Sequence, residues 1–167
     1  ITFLLLFYFD PSNIQFQMVD SCGWLNVLNI NFVVGIDGLA LYMILLTAFL
    51  IPVCILLAWG KSVGNSIKNY CISFLFLESI LFIVFTSLDL VIFYLSFEAV
   101  LILMFLIIGF YGSRERKIRS AYLLFLYTLI SSILMFIAIL YIYFKFGTTD
   151  YITLKTIQFD VISERFC

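Results

Sequence analysis

Two carboxylates stand where so apolar a chain can least accommodate them. Glu78 and Glu98 are the charged residues set well inside long runs of Leu, Ile, Val and Phe. A carboxylate at the centre of a bilayer costs several kcal/mol or more. Each glutamate must therefore be protonated, paired with a cation or placed beside internal water. Low dielectric favours the neutral acid, and a nearby cation favours the ionised one. A carboxyl whose cation can approach and leave is thus a proton switch. The alternative is a neutral glutamic acid bonded to a neighbouring carbonyl or hydroxyl, holding helices together.

Their spacing sets a depth. The "SLD" turn, Ser87 to Asp89, makes the apolar runs on either side an antiparallel hairpin. Glu78 lies nine residues before Ser87 and Glu98 nine after Asp89. In helices both sit about 13 Å from the turn, near the midplane of a hydrocarbon core about 30 Å thick. If their faces meet, they can share or pass a proton. The interiors of the spans offer no Lys or Arg as partner, so a cation for Glu98 must come from another chain or from sequence beyond Cys167. Tyr127, Thr128, Ser131 and Ser132 could bond across helices or hold water, or simply serve as small and hydroxylated residues at a helix contact.

The elements that must position these acids follow from composition. Of 167 residues, 65% are hydrophobic and 11% charged. A domain of this size leaves roughly a third of its surface wet, which excludes a water-soluble enzyme. A net charge of −1 provides no field for nucleic acid. Histidine is absent, and Cys22, Cys54, Cys71 and Cys167 show no C-x-x-C spacing. The chain is therefore expected to hold no metal, disulfide framework or redox group of its own.

Four apolar stretches reach the roughly 20 residues a membrane helix needs: Leu39 to Trp59, Tyr70 to Thr86, Leu90 to Tyr111 and Ala121 to Phe146. A shorter run, Ile1 to Phe9, reads as the end of a truncated helix, and a start on Ile fits a piece of a longer protein. The expected layout is a helix end at 1–9, a loop or β-hairpin at 10–38, four spans at 39–146 and an extramembrane tail at 147–167. "NIQFQMV" and "LNVLNINFV" alternate apolar and polar residues around "DSCG", a turn signal, which predicts the hairpin; an irregular interfacial loop is the alternative. Lys61, Lys68, Arg114, Arg116, Lys117 and Arg119 cluster in two alternate loops, whereas Asp10 to Asp37 contains no Lys or Arg. The positive-inside rule turns the basic loops to the cytoplasm or mitochondrial matrix.

The stretches "GIDGLALYMILLTAFLIPVCIL", "LDLVIFYLSFEAVLILMFLIIGFYGSRERKIRSAYLLFLYTL" and "FGTTD" resemble the antiporter-like subunit-four family of the proton-pumping NADH–ubiquinone oxidoreductase, respiratory complex I. The resemblance covers essentially the whole chain and is most specific at "GSRERKIR" and around Glu98. It implies an all-α transmembrane fold, a partial helix bundle built as part of inverted repeats, matching the end of the family's second helix through its sixth. Glu98 falls on the glutamate of the fifth helix, which takes part in proton translocation. Its lysine partner lies on the seventh, just beyond Cys167. The resemblance also implies a β-hairpin on the intermembrane face, a multi-pass place in the mitochondrial inner membrane, and contacts with lipid and other membrane-arm subunits. NADH, FMN, iron–sulfur clusters and ubiquinone would belong to other subunits. Three positions depart from the pattern. Leu103 stands at a frequent proline, Ser131 stands at a frequent glycine, and Glu78 matches a glutamate found in only some members, an auxiliary at most. The rivals are a sodium/proton antiporter subunit of the same superfamily, a scaffold subunit whose glutamates are neutral, and a ligand-gated channel, which would need a filter or external domain that the sequence lacks.

Overall fold

The computed structural model describes residues 2–10, 15–25, 30–59, 67–112 and 116–156. Lys61, Arg114, Glu115 and the end of the tail, with Asp160, Glu164, Arg165 and Cys167, lie outside the described residues. A 3-10 turn at Thr2–Leu4 leads into the short helix α1 (Leu5–Tyr8). Strands β1 (Gln17–Leu25) and β2 (Ile30–Ile36) pair antiparallel. Four long helices follow: α2 (Gly38–Trp59), α3 (Ile67–Thr86), α4 (Leu90–Tyr111) and α5 (Lys117–Phe146). A last short helix, α6, spans Tyr151–Thr156.

All four long helices are long and apolar enough to cross a membrane. At 1.5 Å per residue α2, α3 and α4 are about 30–33 Å long, matched to a hydrocarbon core, and α5 is about 45 Å. Its first turn carries Lys117 and Arg119, and the Lys117 Nζ donates to the Phe110 carbonyl at the end of α4, 3.1 Å away. A cation there also complements the negative end of the helix dipole. At the other end of α5, Gly147 takes φ +71° and donates its N–H to the Tyr143 carbonyl at 2.8 Å. Glycine adopts this left-handed cap at little steric cost.

Helices adjacent in sequence pack together: α2 on α3, α3 on α4 and α4 on α5. The core cluster joins Ile51 of α2, Leu77 of α3 and Ile107 of α4, flanked by Ile55, Phe74, Leu81, Val100, Leu103 and Tyr111. Leu103 thus belongs to this core, and α4 runs unbroken through the position where the family often has proline. Only 6–17% of the residues in each span's most apolar stretch are buried within the chain. Such surface requires lipid or other protein around it.

One end of the bundle is stitched across the chain. The Leu88 N–H donates to the Val33 carbonyl at 2.9 Å, the Leu90 N–H to Thr149 at 3.1 Å and the Tyr151 N–H to Leu88 at 2.9 Å. Hairpin, α3–α4 turn and the segment after α5 therefore meet in one junction. The approach is close at Gly35, where a Cβ would come within 2.6 Å of the Leu88 side chain. "DSCG" is not the hairpin's turn. Asp20 to Gly23 are paired inside β1, with the Asp20 carboxylate accepting from the Ser21 N–H at 2.9 Å. Turn-forming residues are carried in the strand by register shifts on either side, between Gln17 and Asp20 and between Gly23 and Leu25.

Candidate functional site

Glu78 and Glu98 lie at equal depth from the junction. Glu78 is eight residues before the end of α3 and Glu98 eight after the start of α4, each about 12 Å into its helix. Their faces do not meet. Val100, Leu103, Ile107 and Tyr111 form the stripe by which α4 enters the core with α2 and α3. At about 100° per residue, Glu98 projects from nearly the opposite side of α4. The structure therefore does not bring the two acids together, and direct proton sharing between them has no geometric basis.

Glu98 faces α5 instead. Its Oε1 is, among the described residues, the one buried side-chain polar atom without a hydrogen-bond partner. Tyr94 stands one turn earlier on the same face of α4, its ring stacked on Phe136 of α5, and Ser132 comes one turn before Phe136. Ser132 is 3% exposed and donates to the Leu129 carbonyl at 2.9 Å. Its three companions from the sequence do other things. The Thr128 hydroxyl donates to Leu124 at 2.8 Å, Ser131 donates to Tyr127 at 3.1 Å, and Tyr127 is exposed. These bonds satisfy the hydroxyls within their own helix.

Tyr94 is the neighbour that sequence reasoning missed. It reads as one more aromatic in an apolar run, yet its i, i+4 spacing from Glu98 in "YLSFE" was the available signal. The sequence marks Asp89 only as part of a turn. The structure makes it the N-cap of α4, with Oδ1 accepting from the Val91 and Ile92 N–H groups at 2.8 and 3.3 Å. Its Oδ2 accepts from the Thr149 hydroxyl at 2.6 Å. Both residues are essentially inaccessible to solvent. Among the described residues, no group of three His, Cys, Asp or Glu side chains is arranged to hold a metal ion.

Residues 87–166 match the family described as NADH:quinone oxidoreductase/Mrp antiporter, transmembrane region. The chain is 52% identical over 165 residues to NADH-ubiquinone oxidoreductase chain 4 of Arabidopsis thaliana, covering 95% of this chain and 33% of the plant protein. It is 44% identical over 159 residues to NADH-quinone oxidoreductase subunit M of Rhodobacter capsulatus, covering 95% of this chain and 30% of that protein. The fold is similar to a chain of respiratory complex I from Thermus thermophilus solved with bound NADH. The TM-score is 0.81 at 24% identity, over 99% of this chain and 34% of that one. The chain thus spans about a third of the length of the curated relatives it matches.

Proposed function

The chain belongs to the NADH:quinone oxidoreductase/Mrp antiporter family of membrane proteins, and from that premise we propose that it is part of a proton-translocating membrane-arm subunit of an NADH–ubiquinone oxidoreductase, with Glu98 as a proton carrier. The observation that supports Glu98 in this role is its buried, unpartnered Oε1. A merely structural acid at a helix contact would satisfy that oxygen, because an orphaned buried acceptor costs about 1–3 kcal/mol. An oxygen left open at mid-membrane depth is available to a group that comes and goes. The partner is a lysine or an ordered water supplied by a segment outside this chain. A cation within about 4–6 Å favours the ionised carboxyl by roughly ten- to thousand-fold, so its approach expels the proton and its departure lets another bind. Glu78, which does not share the face of Glu98, is at most auxiliary.

The setting we infer is the mitochondrial inner membrane, with lipid and other membrane-arm subunits covering the exposed apolar faces. The chain-4 relatives and the four spans support this setting. NADH, FMN, iron–sulfur clusters and ubiquinone belong to other subunits, and this chain carries protons only.

The test is Glu98→Gln in the assembled oxidoreductase, reconstituted into sealed vesicles. Assembly and NADH oxidation by a hydrophilic acceptor stay at the native level, while the rate of proton transport falls tenfold or more, equivalent to at least about 1.4 kcal/mol on the transfer step. Glu78→Gln gives a smaller loss. Undiminished pumping by Glu98→Gln would show that this carboxyl is helix glue.

A further inference from the structure

At the junction end of the bundle, the start of α2, the end of α3 and the start of α4 surround a cavity of about 320 Å³. Four aromatic side chains line it: Phe16 ahead of β1, Phe85, Phe93, and Tyr151 at the start of α6. Phe16 and Tyr151 meet edge to face with centroids 6.0 Å apart, which joins two segments distant in sequence. Asp37 is the exposed acid of the lining. Its Oδ1 accepts from the Gly38 N–H at 2.7 Å, and the described lining contains no Lys or Arg. Aromatic rings and a carboxylate together attract a cation, and an anion finds nothing here to hold it.

The cavity also selects among cations. The Ser87 hydroxyl in its wall already donates to the Asp89 carbonyl at 3.1 Å. The Asp89 carboxylate is taken by Val91, Ile92 and Thr149. A primary ammonium brings three N–H donors and would bury some of them without acceptors, which is costly. A quaternary ammonium has no hydrogen to donate and loses nothing among aromatic rings. Position points to the source of such a cation. α3 ends and α4 begins here, at the edge of the hydrocarbon, where lipid head groups lie. Leu39, Tyr42 and Leu46, on one face of α2 beside Asp37, are exposed, an apolar stripe suited to acyl chains. The volume is near the lower bound of ligand pockets, about 300–1,000 Å³, enough for a head-group cation but not for a whole lipid.

We propose that this cavity binds the choline head group of a membrane phosphatidylcholine. Phe16, Phe85, Phe93 and Tyr151 surround the trimethylammonium, Asp37 balances its charge, and the acyl chains lie along Leu39, Tyr42 and Leu46. The head group touches the entry to the hairpin, the α3–α4 turn and α6 at once, the segments that meet in the junction.

The site does not depend on the role of Glu98, so the test reads lipid and not protons. The assembled oxidoreductase is placed in vesicles containing a trace of phosphatidylcholine with a diazirine on its acyl chain, or of the matching phosphatidylethanolamine. After irradiation, cross-linked peptides are identified by mass spectrometry. Phosphatidylcholine labels the 37–46 stretch about fivefold more than phosphatidylethanolamine. Asp37→Asn, which can still accept from Gly38, and Phe93→Leu, which stays apolar but loses the ring, each lower phosphatidylcholine labelling about fivefold. Both leave phosphatidylethanolamine labelling as it was. Equal labelling by the two lipids, or native phosphatidylcholine labelling in Asp37→Asn, overturns the site. So does the absence of any lipid label at 37–46, the result if a partner chain covers the cavity. Should Phe93→Leu fail to assemble, Asp37→Asn, a change at an exposed carboxyl, decides alone.

Discussion

Asp89 is 1% exposed, and its carboxylate still makes three hydrogen bonds. It caps the helix that carries Glu98 and receives a hydroxyl from 60 residues away. Asp89→Ala removes an N-cap, worth about 1 kcal/mol, and strands the buried Thr149 hydroxyl, worth about 1–3 kcal/mol more. The solubilised protein should lose about 2–4 kcal/mol of stability by this change, read as a lowered thermal unfolding midpoint. Asp89→Asn, which can still cap, should lose less than half of that. Equal losses would mean that burial, not capping, governs the site. The two membrane glutamates are legible in the sequence because a charge inside an apolar run stands out in one dimension. The neighbours that give Glu98 its surroundings are not. Tyr94 hides among other aromatics, and Ser132 is one of four equivalent hydroxyls until the packing of α5 turns it alone inward. Asp89 before an apolar run carries a capping signal, but nothing local points from it to Thr149.

The long helices are visible in outline because a bilayer demands a fixed length of apolar residues. The stretches Leu39 to Trp59 and Leu90 to Tyr111 nearly coincide with α2 and α4. The helices α3 and α5 begin three and four residues before their apolar runs, since hydropathy marks the oil and a helix continues into water. The sequence misleads at "DSCG" because turn chemistry is weaker than a strand partner that accepts a bulge. What fastens the hairpin is the close approach of β2 to the α3–α4 turn. Gly35 is buried against Leu88, where an added methyl would overlap the side chain. Gly35→Ala should destabilise by about 1–3 kcal/mol through overpacking. Leu88→Ala alone should also destabilise, by leaving a cavity. Together they should cost less than the sum of the two, with a coupling of about 0.5–3 kcal/mol. Simple additivity in that double-mutant cycle, measured by thermal unfolding, would contradict direct contact.

Stitching at the junction fixes the order of ends across the bilayer. The hairpin, the α3–α4 turn and the segment after α5 share one side, so Lys68 and the basic start of α5 share the other. Lys145 and Lys155 lie at the junction end and temper the contrast. An impermeant maleimide should modify Cys22, exposed on β1, only from the junction side of sealed vesicles. A Lys68→Cys variant should react only from the opposite, inner side. Labelling of both from one side would refute the antiparallel four-span arrangement. The distance in sequence between Asp89 and Thr149 also has a temporal meaning. A ribosome adding about 5–20 residues per second needs several seconds to travel from the first to the second. If the spans enter the bilayer in the order they are made, α4 arrives with its cap already formed from its own amides, and the seam between hairpin, turn and tail closes last. The hydroxyl that completes the acid's coordination is delivered only once α5 has been threaded.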